Sequence, residues 1–101
     1  FLFITDLTDL FAILIREQKV SFELLCAGSS KLTPIKSLYE MVLEERGVNK
    51  KLAFDKSKPS IPVTICLSHE LANNKYGWKP KISINEAISK TLNWTRQNNI
   101  M

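Results

Sequence analysis

The stretch Tyr76-Gly77-Trp78-Lys79-Pro80-Lys81-Ile82-Ser83-Ile84-Asn85-Glu86-Ala87-Ile88-Ser89-Lys90-Thr91-Leu92-Asn93-Trp94 decides how this chain is read. A glycine at position 77 supplies the positive φ on which helices stop, so the spacing predicts a short helix ending just before it. Pro80 fixes the backbone of a crossing segment. Ser83 followed by Glu86 three residues on has the form of a capping box, with Ile82 and Ala87 in the positions of a hydrophobic staple. From there Ile84, Ile88 and Leu92 recur on one helical face, with Trp94 close by.

Working back from this anchor, Ser68 is placed to cap the short helix through Lys75, with Leu71 and Ala72 inward. Thr33-Pro34 predicts the start of another helix, threonine as N-cap and proline at the first helical position. Ile35, Leu38, Tyr39 and Val42 line one face of it, and Gly47 is placed to end it. Leu7, Leu10, Phe11 and Leu14 mark a further amphipathic helix, opened by Asp6 and carrying Arg16 and Lys19 near its end. Between the helices, Leu2-Phe3-Ile4-Thr5, Phe22-Glu23-Leu24-Leu25-Cys26 and Leu52-Ala53-Phe54 read as short strands, and Val63-Thr64-Ile65-Cys66-Leu67 as an extended segment or strand. The resulting expectation is an α/β fold, a small mixed sheet with about four helices. Three short strands leave sheet edges that need a partner.

With 101 residues, 45% of them hydrophobic, the chain has room for one domain and one core. The whole of 1–101 is read as a single domain. The chain opens on Phe1 within an apparent strand, which suggests a piece of a longer polypeptide. No apolar run reaches the roughly 18–20 residues of a membrane span. No basic segment precedes the apolar start to make it a signal peptide, and the cytoplasm is the expected compartment. Cys26 and Cys66 lie in apolar stretches and read as buried free thiols; two cysteines and one histidine give no metal spacing. Residues 1–45 are net acidic and residues 46–101 net basic, within a total of +4. A basic half suits an anionic partner, although most such lysines simply face solvent.

Several chemistries are missing. Gly28, Gly47 and Gly77 are too dispersed for a dinucleotide-binding fingerprint. His69 has no triad partners near it in sequence and reads as a surface residue. Tyr39 and Tyr76 are each followed four positions later by Leu43 and Pro80, so no Tyr-x-x-x-Lys pair exists. No catalytic, cofactor-binding or metal-binding residue is assigned. Trp78 and Trp94 read as packing residues rather than base-stacking platforms.

The Gly77-Trp78-Lys79-Pro80 turn, with Ser83, Glu86, Thr91 and Trp94, resembles the C-terminal end of the extended short-chain dehydrogenase/reductases, the NAD-dependent epimerase/dehydratase family. Phe1 to Leu10 and Phe22 to Tyr39 look like earlier parts of the same region, with the usual glycine pair reduced to Gly28. The resemblance implies the C-terminal, substrate-binding lobe of a Rossmann-type enzyme that epimerises, dehydrates or reduces a nucleotide sugar. It implies NAD or NADP held by an N-terminal Rossmann domain absent from this chain, which would supply the catalytic tyrosine and lysine. Alone, the chain is then expected to be inactive and to bind no cofactor.

In register with that family, Lys58-Pro59-Ser60-Ile61 falls where arginine, proline, glycine and aspartate are common. The resemblance makes Lys58 the substrate-binding residue, a cation at the diphosphate, without the planar fork of arginine. Ile61 cannot accept the ribose hydrogen bond. Two other readings compete: a non-catalytic interaction module or truncated enzyme remnant, and a nucleic-acid-binding domain. Poor aromatic interleaving among the lysines argues against the last.

Overall fold

The computed structural model describes residues 1–100. It contains four helices in the order α1 (Ile4–Glu17), α2 (Ile35–Arg46), α3 (Glu70–Tyr76) and α4 (Ile84–Gln97). No strand forms among the described residues, which corrects the expected α/β fold and its small mixed sheet. The reason is physical. A strand exists only when a neighbouring backbone satisfies its N–H and C=O groups. Here the segments around 22–30 and 61–68 form no ladder: they meet at one backbone bond, Ser30 N–H to Leu67 O at 3.0 Å, and Val63 N–H turns back onto Ile61 O at 2.8 Å. Of the region read as the first strand, Ile4 and Thr5 are taken into α1, and Phe3 stays extended at its N-cap position.

Each helix boundary has a local cause. Gly47 adopts φ 66°, and the Gly47 and Val48 N–H groups donate to Glu44 O and Leu43 O, the paired bonds of a Schellman stop. Gly77 ends α3 at φ 68° with its N–H on Asn73 O at 2.8 Å. Ser83 Oγ accepts from Glu86 N–H at 3.2 Å, the first half of the capping box. The reciprocal half is not made, because the Glu86 carboxylate turns to Lys90 Nζ, 3.8 Å away. Thr33 does not cap α2: extended Pro34 takes the N-cap position with no side-chain bond. Ser68 Oγ does accept from Glu70 N–H at the start of α3, at 3.0 Å.

Packing pairs α1 with α3 and α2 with α4. Leu10, Ala72 and Trp78 form the buried cluster, with Leu2, Ile13, Leu14 and Ala27 against it. Ile88 and Leu92 bury the inner face of α4. The core is small for the chain length. The radius of gyration is 16.9 Å, against about 13 Å for a compact domain of this size. Large apolar side chains stay exposed along the extended segments, Phe22, Leu24, Ile61 and Ile65 among them. Cys26 and Cys66 are exposed free thiols, because their segments lack the covering layer that the apolar context suggested. Leu71 and Trp94 are likewise outward, leaving Ala72 as the inward residue of α3. No helix is long and apolar enough to cross a membrane among the described residues.

Candidate functional site

Two junctions tie segments distant in sequence together, and a cavity opens beside them. The first junction centres on Asp6 in the opening turn of α1. Its carboxylate is buried and accepts from the backbone N–H groups of Lys81 and Ile82, each at 3.1 Å. Its main-chain carbonyl accepts from Trp78 Nε1 at 2.9 Å. Asp6 therefore caps not its own helix but the turn about seventy-five residues later, and fixes the direction of Lys79, Pro80 and Lys81. Sequence spacing marked Asp6 as a local cap because the same side chain serves both purposes, and nothing in a linear pattern separates them.

The second junction joins the loop after the extended segment 22–29 to the start of α3. Ser30 sits at φ 60°, a conformation uncommon outside glycine, and its Oγ accepts from His69 N–H at 3.2 Å. His69 Nδ1 lies 3.0 Å from Gly28 O and 3.0 Å from Ser30 Oγ. A carbonyl can only accept, so Nδ1 carries the proton and Nε2 is the ring nitrogen left over. The imidazole stands edge-on to Trp78, ring centres 6.3 Å apart. His69 is thus half-buried at a junction rather than a free surface histidine. Gly28 is required by close approach: a Cβ there would collide with the Leu67 carbonyl.

A third contact pins the other end of α3. Glu23, its side chain 6% exposed, receives Lys75 Nζ at 2.8 Å, the Tyr76 hydroxyl, and Gln18 Nε2 at 3.3 Å. The Lys75 bond, then the Tyr76 bond, hold the Glu23 carboxyl below the usual carboxylate range. The same carboxylate pushes the Tyr76 phenol up.

Between the N-terminal residues, the 29–33 loop, α2 and α4 lies a cavity of about 580 Å³. Phe3, Leu38, Val42, Ile84, Ile88 and Leu92 contribute its apolar surface, and Lys31, Lys79, Lys81 and His69 its basic surface. No aspartate or glutamate lines it. In sequence, Lys79 was visible as part of the Gly77-Trp78-Lys79-Pro80 turn and Lys81 as a member of a basic half; the shared cavity follows from the Asp6 bonds, which sequence spacing does not reveal.

Lys58 lies elsewhere. It closes an exposed turn in which Lys58 N–H meets Asp55 O at 3.4 Å and Ser57 N–H meets Asp55 Oδ1 at 3.0 Å. The Ser57 hydroxyl also donates to that carboxylate and holds Asp55 below its ordinary value. Lys58 is exposed and is not part of the cavity lining. No group of three or more histidine, cysteine or carboxylate side chains could hold a metal among the described residues.

Comparison with known proteins gives consistent relatives. The chain is 36% identical to "Putative GDP-L-fucose synthase 2" of Arabidopsis thaliana over 99 residues, 97% of this chain and 29% of the relative. It is 33% identical to GDP-L-fucose synthase 1 of the same plant over 99 residues, 97% of this chain and 30% of the relative. A third relative, "Putative UDP-glucose 4-epimerase" of Methanocaldococcus jannaschii, is 30% identical over 77 residues, 76% of this chain and 25% of that protein. The chain thus spans less than a third of the length of these relatives. No protein-family model and no solved structure matches it.

Proposed function

We propose that the chain is the substrate-binding lobe of an NAD-dependent epimerase/dehydratase-type enzyme, a single domain over 1–101 that acts with a Rossmann domain carried by a longer polypeptide. In that reading the substrate is a nucleotide sugar, transformed by epimerisation, dehydration or ketoreduction. The observation that carries it is the likeness to two GDP-L-fucose synthases across 97% of this chain. The nicotinamide cofactor, NAD or NADP, belongs to the Rossmann domain and removes and returns hydride at the sugar. This chain contributes no tyrosine–lysine pair to that step. Its own part is to place a cation at the diphosphate and to close over the sugar nucleotide.

Lys58 is the residue assigned to the diphosphate. Its turn lies in an exposed segment bearing apolar side chains that a docked domain would cover, Ile61 and Val63 among them. An ammonium–phosphate hydrogen bond shielded by such a domain is worth about 1.5–3 kcal/mol. In the full-length enzyme, Lys58→Ala should raise the dissociation constant for the nucleotide sugar about tenfold or more. Lys58→Arg should bind at least as tightly as lysine because it restores the fork. Lys56→Ala, on the same turn, should change little. Equal losses at Lys56 and Lys58 would reveal a diffuse field and remove Lys58 from the site.

A second reading, a non-catalytic interaction module, draws on the same exposed apolar segment and on Ile61, 84% exposed where a ribose-binding carboxylate is expected. Binding of a nucleotide sugar by the full-length protein, lost with Lys58→Ala, decides against it.

A further inference from the structure

We propose that the cavity between α2 and α4 is a binding site for an organic phosphate with an apolar body, separate from Lys58 and independent of the nucleotide-sugar reading. At about 580 Å³ it has the size of a small-molecule site. Its surface is divided in character. The floor is aliphatic, built from α2 and α4 by Leu38, Val42, Ile88 and Leu92. The polar part includes three lysines and a histidine and no carboxylate, and Lys79 and Lys81 also border a neighbouring cleft lined by Asp9 and Arg16.

The lysines are also unspent. Lys36, Lys75 and Lys90 are ion-paired to Glu40, Glu23 and Glu86, whereas Lys31, Lys79 and Lys81 have no such partner among the described residues. Asp6 makes no ion pair with these lysines and does not line the cavity; its carboxylate accepts from the Lys81 and Ile82 N–H groups. Those bonds hold the backbone of the rim in place before any ligand arrives, which lowers the cost of ordering it. His69 Nδ1 is committed to Gly28 O, so Nε2 can only accept, and the cationic part of the site rests on the lysines. The N-terminal end of α4 also borders the cavity through Ser83 and Ile84, and its dipole adds to the positive field.

Three lysines bordering one cavity favour a dianionic head over a single carboxylate, since each added charge contact is worth more beside a low-dielectric floor. The aliphatic floor calls for an apolar or aromatic body. A lipid surface fits less well, because a bilayer meets a convex or flat face and this site is concave; nucleic acid fits less well, because the cavity floor is aliphatic and offers few stacking platforms beside its lysines.

The test is titration calorimetry of the full chain with 1-naphthyl phosphate, compared with 1-naphthol and with inorganic phosphate. One equivalent of naphthyl phosphate should bind, at least about tenfold more tightly than either half alone. Lys79→Gln with Lys81→Gln should weaken it about tenfold, whereas Lys50→Gln with Lys51→Gln, outside the cavity, should change it less than about twofold. Lys79→Arg with Lys81→Arg should retain binding. Lys31→Gln, across the rim, should weaken it about threefold and keeps the test readable if the first pair unfolds the chain. Equal losses from both glutamine pairs, inorganic phosphate binding as tightly as the naphthyl ester, or no saturable binding would each overturn the proposal.

Discussion

Residues 68–97 and residues 48–67 are adjacent in sequence and are held by different kinds of force. The first region satisfies its own backbone: α3 and α4 carry their hydrogen bonds internally, Gly77 and Ser83 punctuate them, and Trp78 inserts under Asp6. The second region has a comparable apolar content but forms no helix and no strand, and Ile61, Val63, Ile65 and Leu67 stay largely in solvent. A helix can be completed from within one segment, whereas an extended segment is completed only by a second backbone and a covering layer. The difference identifies the first region as a frame and the second as a surface that the frame presents.

The strongest way to break that comparison is to attack the frame. Trp78→Ala removes the largest buried side chain and its bond to Asp6, and should cost about 3–5 kcal/mol in a denaturant melt. Asp6→Ala leaves the Lys81 and Ile82 N–H groups without their acceptor and should cost about 2–3 kcal/mol. Ser83→Ala should cost about 1 kcal/mol, since a single capping bond is lost. At the other extreme, Ile65→Ser acts on a side chain 71% exposed and should shift stability by less than about 0.5 kcal/mol in the same melt. A loss at Ile65 equal to that at Trp78 would mean that the two regions are not distinct.

The Glu23 cluster sharpens the comparison from another side, because it ties the extended segment before Cys26 to the end of α3. Its folded-state carboxyl lies below the unfolded value, so its contribution is present at neutral pH. It is lost as pH falls from the ordinary carboxylate range through the lowered folded value. A pH series of melts should show this acid-side loss, and Glu23→Gln should flatten it.

Much of the frame was legible in sequence because its signals are local. Gly47 and Gly77 stop helices where their spacing indicated, Ser83 caps α4, and Ile88 and Leu92 face inward as their period required. The absence of strands among the described residues was not legible, since alternation in Phe22-Glu23-Leu24 suggests an extended backbone but says nothing of a neighbour to pair with it. Cys26 and Cys66 were misplaced for the same reason: an apolar context predicts burial only when a second layer exists. The site was legible in part. Lys58 follows from a family register and stands in an exposed turn. The cavity with Lys31, Lys79, Lys81 and His69 depends on long-range bonds from Asp6 and Gly28, which no short pattern encodes.

The central claim, that this chain is the substrate lobe of a larger nucleotide-sugar enzyme, is tested most directly by sequencing the transcript upstream of the Phe1 codon. The account predicts an open frame encoding a strand, a glycine-rich turn and a Tyr-x-x-x-Lys pair, joined without interruption to Phe1. A stop codon in frame shortly upstream, or a continuous frame lacking both the glycine turn and the tyrosine–lysine pair, would contradict it.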